Sequence, residues 1–167
     1  MIGTWRPGLV VGILATFASH PTPANAAPPA VGQIKVLEGT AHVLRNDTRL
    51  AAKVGDSLFE HDSIETAGDG RIGITFADQT LFSAGPDTLF SLDRIRFDSS
   101  TVKGSLLAKM KRGTLAVKAG EVTKSGPEAM RIETPSAVLG VRGTRFVVRV
   151  ADDRHDRRCH SADDYVQ

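Results

Sequence analysis

Apolar and polar residues alternate with a period of two through the middle of the chain. The alternation is clearest at Ile72, Ile74 and Phe76. The small or polar residues Gly73 and Thr75 separate these three. Successive side chains of a strand point to opposite faces, so this pattern predicts a strand with one buried face. Similar segments recur at roughly eight to twelve residues with Gly, Asp, Asn and Pro between them, which predicts an all-β sandwich, roll or irregular solenoid-like stack.

The alternation changes parity once within a single long segment. Phe90 and Leu92 share one face of that segment. Ile95 and Phe97 share the opposite face. One extra residue in a strand reverses the parity, so we predict a β-bulge near Asp93–Arg94 that brings both pairs to one core.

Two other segments are less regular. Leu106, Leu107 and Met110 fit a helical stripe as well as a strand, but the segment 102–110 lies between predicted strands, so we predict a strand. The polar segment Ala119–Glu128 is the longest predicted loop.

The start of the β region predicts a hairpin. Ile34 and Val36 share a face, Gly39 interrupts the run, and Ala41 and Val43 resume it. Two short strands joined by a turn have this pattern. The next turn falls at Asn-Asp, residues 46 and 47, because both side chains can hydrogen-bond the local backbone.

The first 26 residues form a predicted signal peptide with a signal helix. Arg6 precedes the apolar run 9–18, and Ala24 and Ala26 form an A-x-A cleavage site. Cleavage would leave a linker at 27–30 before a β domain at 31–150. An uncleaved anchor is the alternative. No later apolar run approaches the roughly 20 residues of a spanning helix. We therefore expect a periplasmic protein without a membrane span after cleavage, or alternatively a secreted one.

The segment 151–167 is predicted to be a disordered tail, because it has eight charged residues, two histidines and almost no apolar residues. Cys159 is the single cysteine, so the domain must be stable without an internal disulfide. Cys159 and His160 pair a thiol with a base only superficially, because a catalytic pair needs a rigid supporting shell.

Charge and motif content exclude several functions. Lys+Arg 21 against Asp+Glu 19 gives a net charge of +2 without a basic run, which argues against nucleic acid. The four basic residues Lys109, Lys111, Arg112 and Lys118 are interpreted as a solvated face. No nucleotide-binding, hydrolase or zinc-protease motif is present, so we predict no enzyme activity and no cofactor.

The sequence His61-Asp62, with Asp56 upstream, raises the question of a metal site. A closed zinc site needs about four ligands, and local spacing does not supply them. The favoured interpretation is a polar turn whose aspartates cap backbone N–H groups, with no bound metal.

Four segments together resemble the FecR-domain family of periplasmic all-β modules. They are G-D-S-L-F-E-H-D-S-I-E-T from Gly55, F-A-D-Q-T-L-F-S-A-G-P-D-T from Phe76, R-G-T-L-A-V from Arg112 and T-P-S-A-V-L-G-V-R-G-T-R-F-V-V from Thr134. They occur in the family's order and extend the resemblance over roughly residues 31–150.

The last segment predicts a strand, a Gly-Val-Arg-Gly bend and a final strand with Phe146, Val148 and Val150 on one face. Its candidate interaction residues are Thr134, Pro135, Gly140, Arg142, Gly143 and Thr144. Arg142 has two interpretations: recognition of a carboxylate or phosphate, or a hydrogen bond to nearby carbonyls that holds the bend. The second is favoured, because turn chemistry explains every other residue.

The resemblance implies a non-catalytic module that acts by contact with another envelope protein. Family regulators couple an outer-membrane transporter to a sigma factor, and exposed strand edges would serve such contacts. This chain is expected to act alone, without the sigma-binding segment and the spanning helix. The alternative is a binding module for an envelope glycan or lipid head group, although aromatic residues make up only 5% and stacking platforms are scarce.

Overall fold

A computed structural model describes residues 28–126, 128–142 and 145–151. These residues contain twelve strands and one 3-10 helix, Glu121–Ser125. The strands are β1 Gly32–Glu38, β2 Ala41–Arg45, β3 Thr48–Ala51, β4 Ser57–Leu58, β5 Ser63–Thr66, β6 Arg71–Phe76, β7 Leu81–Ala84, β8 Leu89–Asp98, β9 Lys103–Lys118, β10 Met130–Glu133, β11 Val138–Gly140 and β12 Arg145–Val150. None of the described helical segments has the length and apolar character needed to cross a membrane.

The strands form one sheet that curls into a half-barrel, which confirms the all-β prediction. Arm I has the order β3-β2-β5-β8-β9-β10-β11, and arm II has the order β4-β1-β6-β7-β9-β12. The first half of β9 belongs to arm I and its second half to arm II. All neighbours are antiparallel except β9 and β10.

A bend in β9 at Gly113 joins the two arms. Gly113 has φ +97°, and a Cβ there would lie 2.3 Å from the Thr88 hydroxyl oxygen. Gly140 lies level with Leu107, and Arg145 pairs with Lys118. A straight β9 would separate those levels by about 36 Å. The five peptide steps between β11 and β12 reach at most about 18 Å, so the bend must fold the arms towards each other.

One hydrophobic core fills the space between the arms. The rings of Phe76 and Phe82 meet edge to face with centroids 4.8 Å apart, and those of Phe82 and Phe90 with centroids 6.0 Å apart. This aromatic contact connects β6 and β7 of arm II with β8 of arm I. The largest fully buried side chains are Phe82, Phe90, Ile34, Leu58, Ile64, Ile74, Leu92, Leu106, Met110, Leu115, Met130 and Ile132.

Several detailed predictions are confirmed. The register of β8 against β9 shifts between Leu92 and Arg94, and Ile95 is buried, as the predicted bulge requires. Residues 103–110 are strand, within β9. The predicted loop at 119–128 contains the 3-10 helix, whose Val122 is buried against the core.

The predicted first hairpin is wrong. β1 pairs with β4 and β6, whereas β2 pairs with β3 and β5, so the chain crosses from arm II to arm I at Gly39. A register shift after Ile34 also turns Val36 outward, where it is 52% exposed. Alternation predicts where strands lie, but it does not predict which strands pair. The predicted Asn46-Asp47 turn does join a hairpin, β2–β3, with φ of 48° and 61° at its two central residues.

The termini are only partly covered. The signal peptide with Ala24 and Ala26 lies outside the described residues, as do Cys159 and the rest of the tail after Ala151. Residues 28–30 of the predicted linker have no regular structure.

Candidate functional site

The His61-Asp62 turn is a structural element. The Arg45 guanidinium donates to both Asp62 carboxylate oxygens at 2.8 Å, and the Phe59 backbone N–H donates to Asp62 at 2.8 Å. Asp56 likewise accepts from the Lys53 backbone N–H at 2.8 Å. The capping interpretation is confirmed for both aspartates. No group of three or more metal-ligating side chains occurs among the described residues.

Arg45 contacts an aromatic ring as well as Asp62. Its guanidinium lies 4.4 Å from the Phe59 ring centroid, and its hydrogen bond and attraction to Asp62 raise its own pKa against the effect of burial. The Asp62 side chain is 1% exposed. A buried carboxylate of this kind is tolerated because every strong partner is in place.

Other polar residues of the recognised segments are also buried and satisfied. Thr66 donates to the Gly85 carbonyl at 2.7 Å and accepts from the Thr88 N–H at 2.9 Å. Thr88 accepts from the Thr114 N–H at 3.0 Å, next to the β9 bend. Asp78 accepts a hydrogen bond from the Thr80 hydroxyl and another from the Val122 N–H. Among the described residues, no buried side-chain nitrogen or oxygen lacks a partner. These segments therefore build the fold.

The closing segment is different, because it lies at the edges of the sheet. β10 and β11 form a hairpin whose turn is closed by Thr134: its hydroxyl accepts from the Ala137 N–H and donates to the Ala137 carbonyl, both at 3.0 Å. Pro135 follows Thr134 in the turn, after β10 has ended at Glu133, so its missing N–H removes no hydrogen bond from the ladder. Among the described strands, β11 pairs with β10 alone, so none of them covers its other edge.

The final strand β12 is the corresponding edge of arm II. Phe146, Val148 and Val150 face the core, as predicted. Val147 points outward and is 65% exposed. On β11, Val138 is 63% and Leu139 37% exposed. The last two strands thus present apolar side chains beside backbone edges that no described strand pairs with.

The structure separates the predicted interaction residues into two places. Thr134 and Pro135 lie in the hairpin turn, and Gly140 and Arg142 lie at the far end of β11. Arg142 is exposed, and none of the described residues forms a hydrogen bond or ion pair with it. Gly143 and Thr144 lie outside the described residues.

Two clefts lie near these elements. One of about 890 Å³ is at the corner where β12 ends beside the Thr134 turn, and Lys111, Leu139 and Arg149 help to line it. The other, of about 840 Å³, is between the arms, with Phe59, Phe97 and other apolar side chains in its wall. Arg45 and Arg96 reach the wall of this second cleft.

The predicted basic face contains ion pairs that the sequence did not reveal. Lys109 lies 2.5 Å from Asp93 and 3.6 Å from Glu133. Arg112 and Arg49 each lie 3.0 Å from Glu65. The partners of Lys109 are on neighbouring strands, and those of Glu65 are two strands away in the sheet, so only the strand order brings them together.

These pairs shift the pKa of two groups. The hydrogen bond and charge of Asp93 raise the pKa of Lys109. Burial raises the pKa of Asp93, but the hydrogen bonds from Lys109 and Ser91 outweigh it, so the pKa of Asp93 is lowered.

The predicted interaction residues do not include five residues of the closing strands: Val138, Leu139, Arg145, Val147 and Arg149. The alternation R-F-V-V-R-V does place both arginines and Val147 on the face opposite Phe146. What it cannot show is that the strand has a free edge.

Comparison with known proteins gives a family. The family model described as FecR protein matches residues 62–160, more than half of the 167-residue chain. A solved structure described as "Cell surface anchoring domain" is similar at 32% identity over 36% of this chain and 82% of that chain, with a TM-score of 0.35. A search of curated proteins finds no significant match. Because the FecR model covers most of the folded region, including the buried Asp62 and the closing edge strands, the chain belongs to the FecR family.

Proposed function

We propose that this chain is a non-catalytic module of the cell envelope that acts by binding another envelope protein. The observation that carries the proposal is the exposure of Val138, Leu139 and Val147 on the last two strands, beside free backbone edges. An edge strand offers unpaired N–H and C=O groups, and exposed apolar side chains add contact area for a partner. Family membership supports the envelope and a role in signalling or regulation.

The polar residues of the fold support a binding role over catalysis. Asp62, Asp78 and Thr88 have their hydrogen-bonding capacity directed to backbone groups and Arg45. A catalytic acid or base needs a free face towards a substrate. The described fold therefore uses its buried polar groups for stability, and its exposed edges remain for recognition.

The test is capture of a partner from an envelope extract by the tagged protein. A protein held by the wild type should be lost on Val138→Asp with Val147→Asp, because a charge replaces each exposed apolar contact. Leu50→Asp, at 42% exposure on the opposite edge strand β3, is the matched control and should keep the partner. No specific capture, or equal capture by all variants, would refute the proposal.

Export to the periplasm is part of the same proposal. Cleavage after Ala26 would leave Ala27 as the first residue. Mass spectrometry of the exported protein should give an amino terminus at Ala27. A retained N-terminal segment in the membrane fraction would exclude the periplasmic assignment.

The cleft between the arms favours a second candidate, which is binding of an envelope glycan or lipid head group. Its wall combines Phe59 and Phe97 with two guanidinium groups, a mixture suited to an amphipathic or sugar ligand. Thermal-shift screening with glycans and with lipid head groups tests it. A rise in Tm that Phe97→Ala removes would support the cleft as a ligand site.

A further inference from the structure

β12 is the longest of the four strands that end the arms of the described sheet. The edge strands are β3, β4, β11 and β12, with four, two, three and six residues respectively. Every second residue of a strand directs its backbone N–H and C=O to one side. About three residues of β12 therefore present both groups to an incoming strand, which is more than the shorter edges can offer.

The side chains of β12 give this edge a specific chemistry. Arg145, Val147 and Arg149 point outward and are exposed. Arg145 is in register with Lys118 on β9, which adds a third cation to the same face. None of the acidic residues that the structure describes forms an ion pair with any of these three cations.

A second copy of the chain brings like charges together at this edge in one antiparallel register. In the antiparallel register centred on Val147, which pairs residues 145–149 of the two copies, Val147 faces its equivalent and Arg145 faces Arg149 of the other copy. Like charges directly opposite each other across two strands are destabilising. The positive charges thus act against self-pairing in this register and favour a strand with carboxylates at those positions.

We propose that the edge of β12 binds an extended acidic segment of a partner protein as an added antiparallel strand. Carboxylates of the segment lie opposite Arg145 and Arg149, and apolar side chains lie opposite Phe146 and Val148 to extend the core face. The inference rests on the proposed function, and it adds the strand that is used and the charge of the partner.

A pair of synthetic peptides tests the charge requirement. The acidic peptide carries Glu-Val-Thr-Val-Glu, so that its two glutamates have the spacing of Arg145 and Arg149. The control peptide carries Lys-Val-Thr-Val-Lys with the same flanking residues. With the full-length chain we expect about tenfold tighter binding of the acidic peptide, and a smaller preference at high salt.

Hydrogen exchange separates strand addition from a purely electrostatic contact. Amides on the free edge of β12 gain acceptors when a strand pairs with them, so their exchange should slow on addition of the acidic peptide. Amides of β3, a terminal strand of arm I, are the internal control and should keep their rates.

Charge reversal provides the matched variants. Arg145→Glu with Arg149→Glu should exchange the preference, so that the lysine peptide binds more tightly. Lys35→Glu with Arg71→Glu makes the same change in net charge on the same arm but away from β12, and it should keep the acidic preference. Both sites are exposed, so both variants should fold, which their unfolding curves would verify.

The outcomes are distinct. Equal binding of both peptides, or unchanged exchange in β12, overturns this inference and leaves the proposed function intact if the wild type still captures a partner. If a second copy or residues 152–167 already cover the edge, β12 amides exchange slowly before peptide is added, which also overturns it. If the wild type captures no partner but still prefers the acidic peptide, the proposed function is refuted instead.

Discussion

The outer faces of the two arms differ in whether their charged side chains form ion pairs. On arm I, Glu65 lies between Arg49 and Arg112, and Lys109 lies between Asp93 and Glu133, so each group of three links several strands. On arm II, Val147 is in register with the small residues Ala116, Ser83 and Gly73. The neighbouring Lys118, Arg145 and Arg149 have no acidic partner among the described residues.

The difference indicates that the two arms have different roles within one small fold. Ion pairs across arm I satisfy the charges of its two groups of three within the fold, so these groups have little to offer another molecule. Arm II presents the cations Lys118, Arg145 and Arg149 beside the edge of β12, which no described strand pairs with. Charges on arm I should therefore contribute to stability, and charges on arm II should contribute to recognition.

The largest expected effect on stability belongs to Asp62, at the end of arm I. Asp62→Ala leaves the Arg45 guanidinium without its two hydrogen bonds and the Phe59 N–H without its acceptor. We expect a loss of about 3 kcal/mol in the free energy of unfolding, measured by urea denaturation. Asp69→Ala is the control, because Asp69 is exposed and its bonds to Thr40 are long, at 3.3 and 3.4 Å. Equal losses in both variants would contradict this assignment.

A smaller effect is expected at Glu65. Glu65→Gln keeps the side-chain size but removes the charge that Arg49 and Arg112 share, and should lower the free energy of unfolding by about 1 kcal/mol. Glu38→Gln is the control, because its contact with Arg71 is 3.9 Å long and both side chains are about two thirds exposed. It should change stability little. A cost at Glu38 as large as at Glu65 would remove the contrast between the arms.

The arginines of β12 should be close to neutral for stability. Arg145→Ala with Arg149→Ala removes two exposed charges that pair with no described residue, so the free energy of unfolding should stay within about 0.5 kcal/mol of the wild type. The same variant should bind the acidic peptide less tightly. A large loss of stability would show that these arginines serve the fold.

The smallest effect is the pH dependence of the Asp93–Lys109 pair. The lowered pKa of Asp93 stabilises the fold above its ordinary value of 3.8, and this contribution disappears as pH falls through the lower folded value. The raised pKa of Lys109 stabilises the fold below 10.5, and this contribution is lost as pH rises through the higher folded value. Asp93→Asn should flatten the Tm profile at both ends.

Some acid sensitivity should remain in Asp93→Asn. Hydrogen bonds from Ser100 lower the pKa of Asp98 to about 2, so Asp98 also favours the folded state until the pH falls to that value. Asp93→Asn with Asp98→Asn should therefore reduce the remaining acid slope. An unchanged profile in both variants would show that these carboxylates do not govern acid stability.

The sequence predicted the strands well, because each strand leaves a local record of alternation. The β6 faces and the bulge near Asp93–Arg94 follow from parity alone. Strand pairing is non-local, so the β1–β2 hairpin was predicted wrongly and the ion pairs of Glu65 were not found. The closing segment was recognised by its motif, but the free edge of β12 depends on which strands pair and could not be inferred from residues 134–150.

The bend at Gly113 has a consequence for how the molecule unfolds. One continuous strand supplies hydrogen-bonding neighbours to both arms, so opening either arm removes partners from the other. Heat should therefore melt the β domain in a single cooperative transition, with no half-folded species that keeps one arm alone.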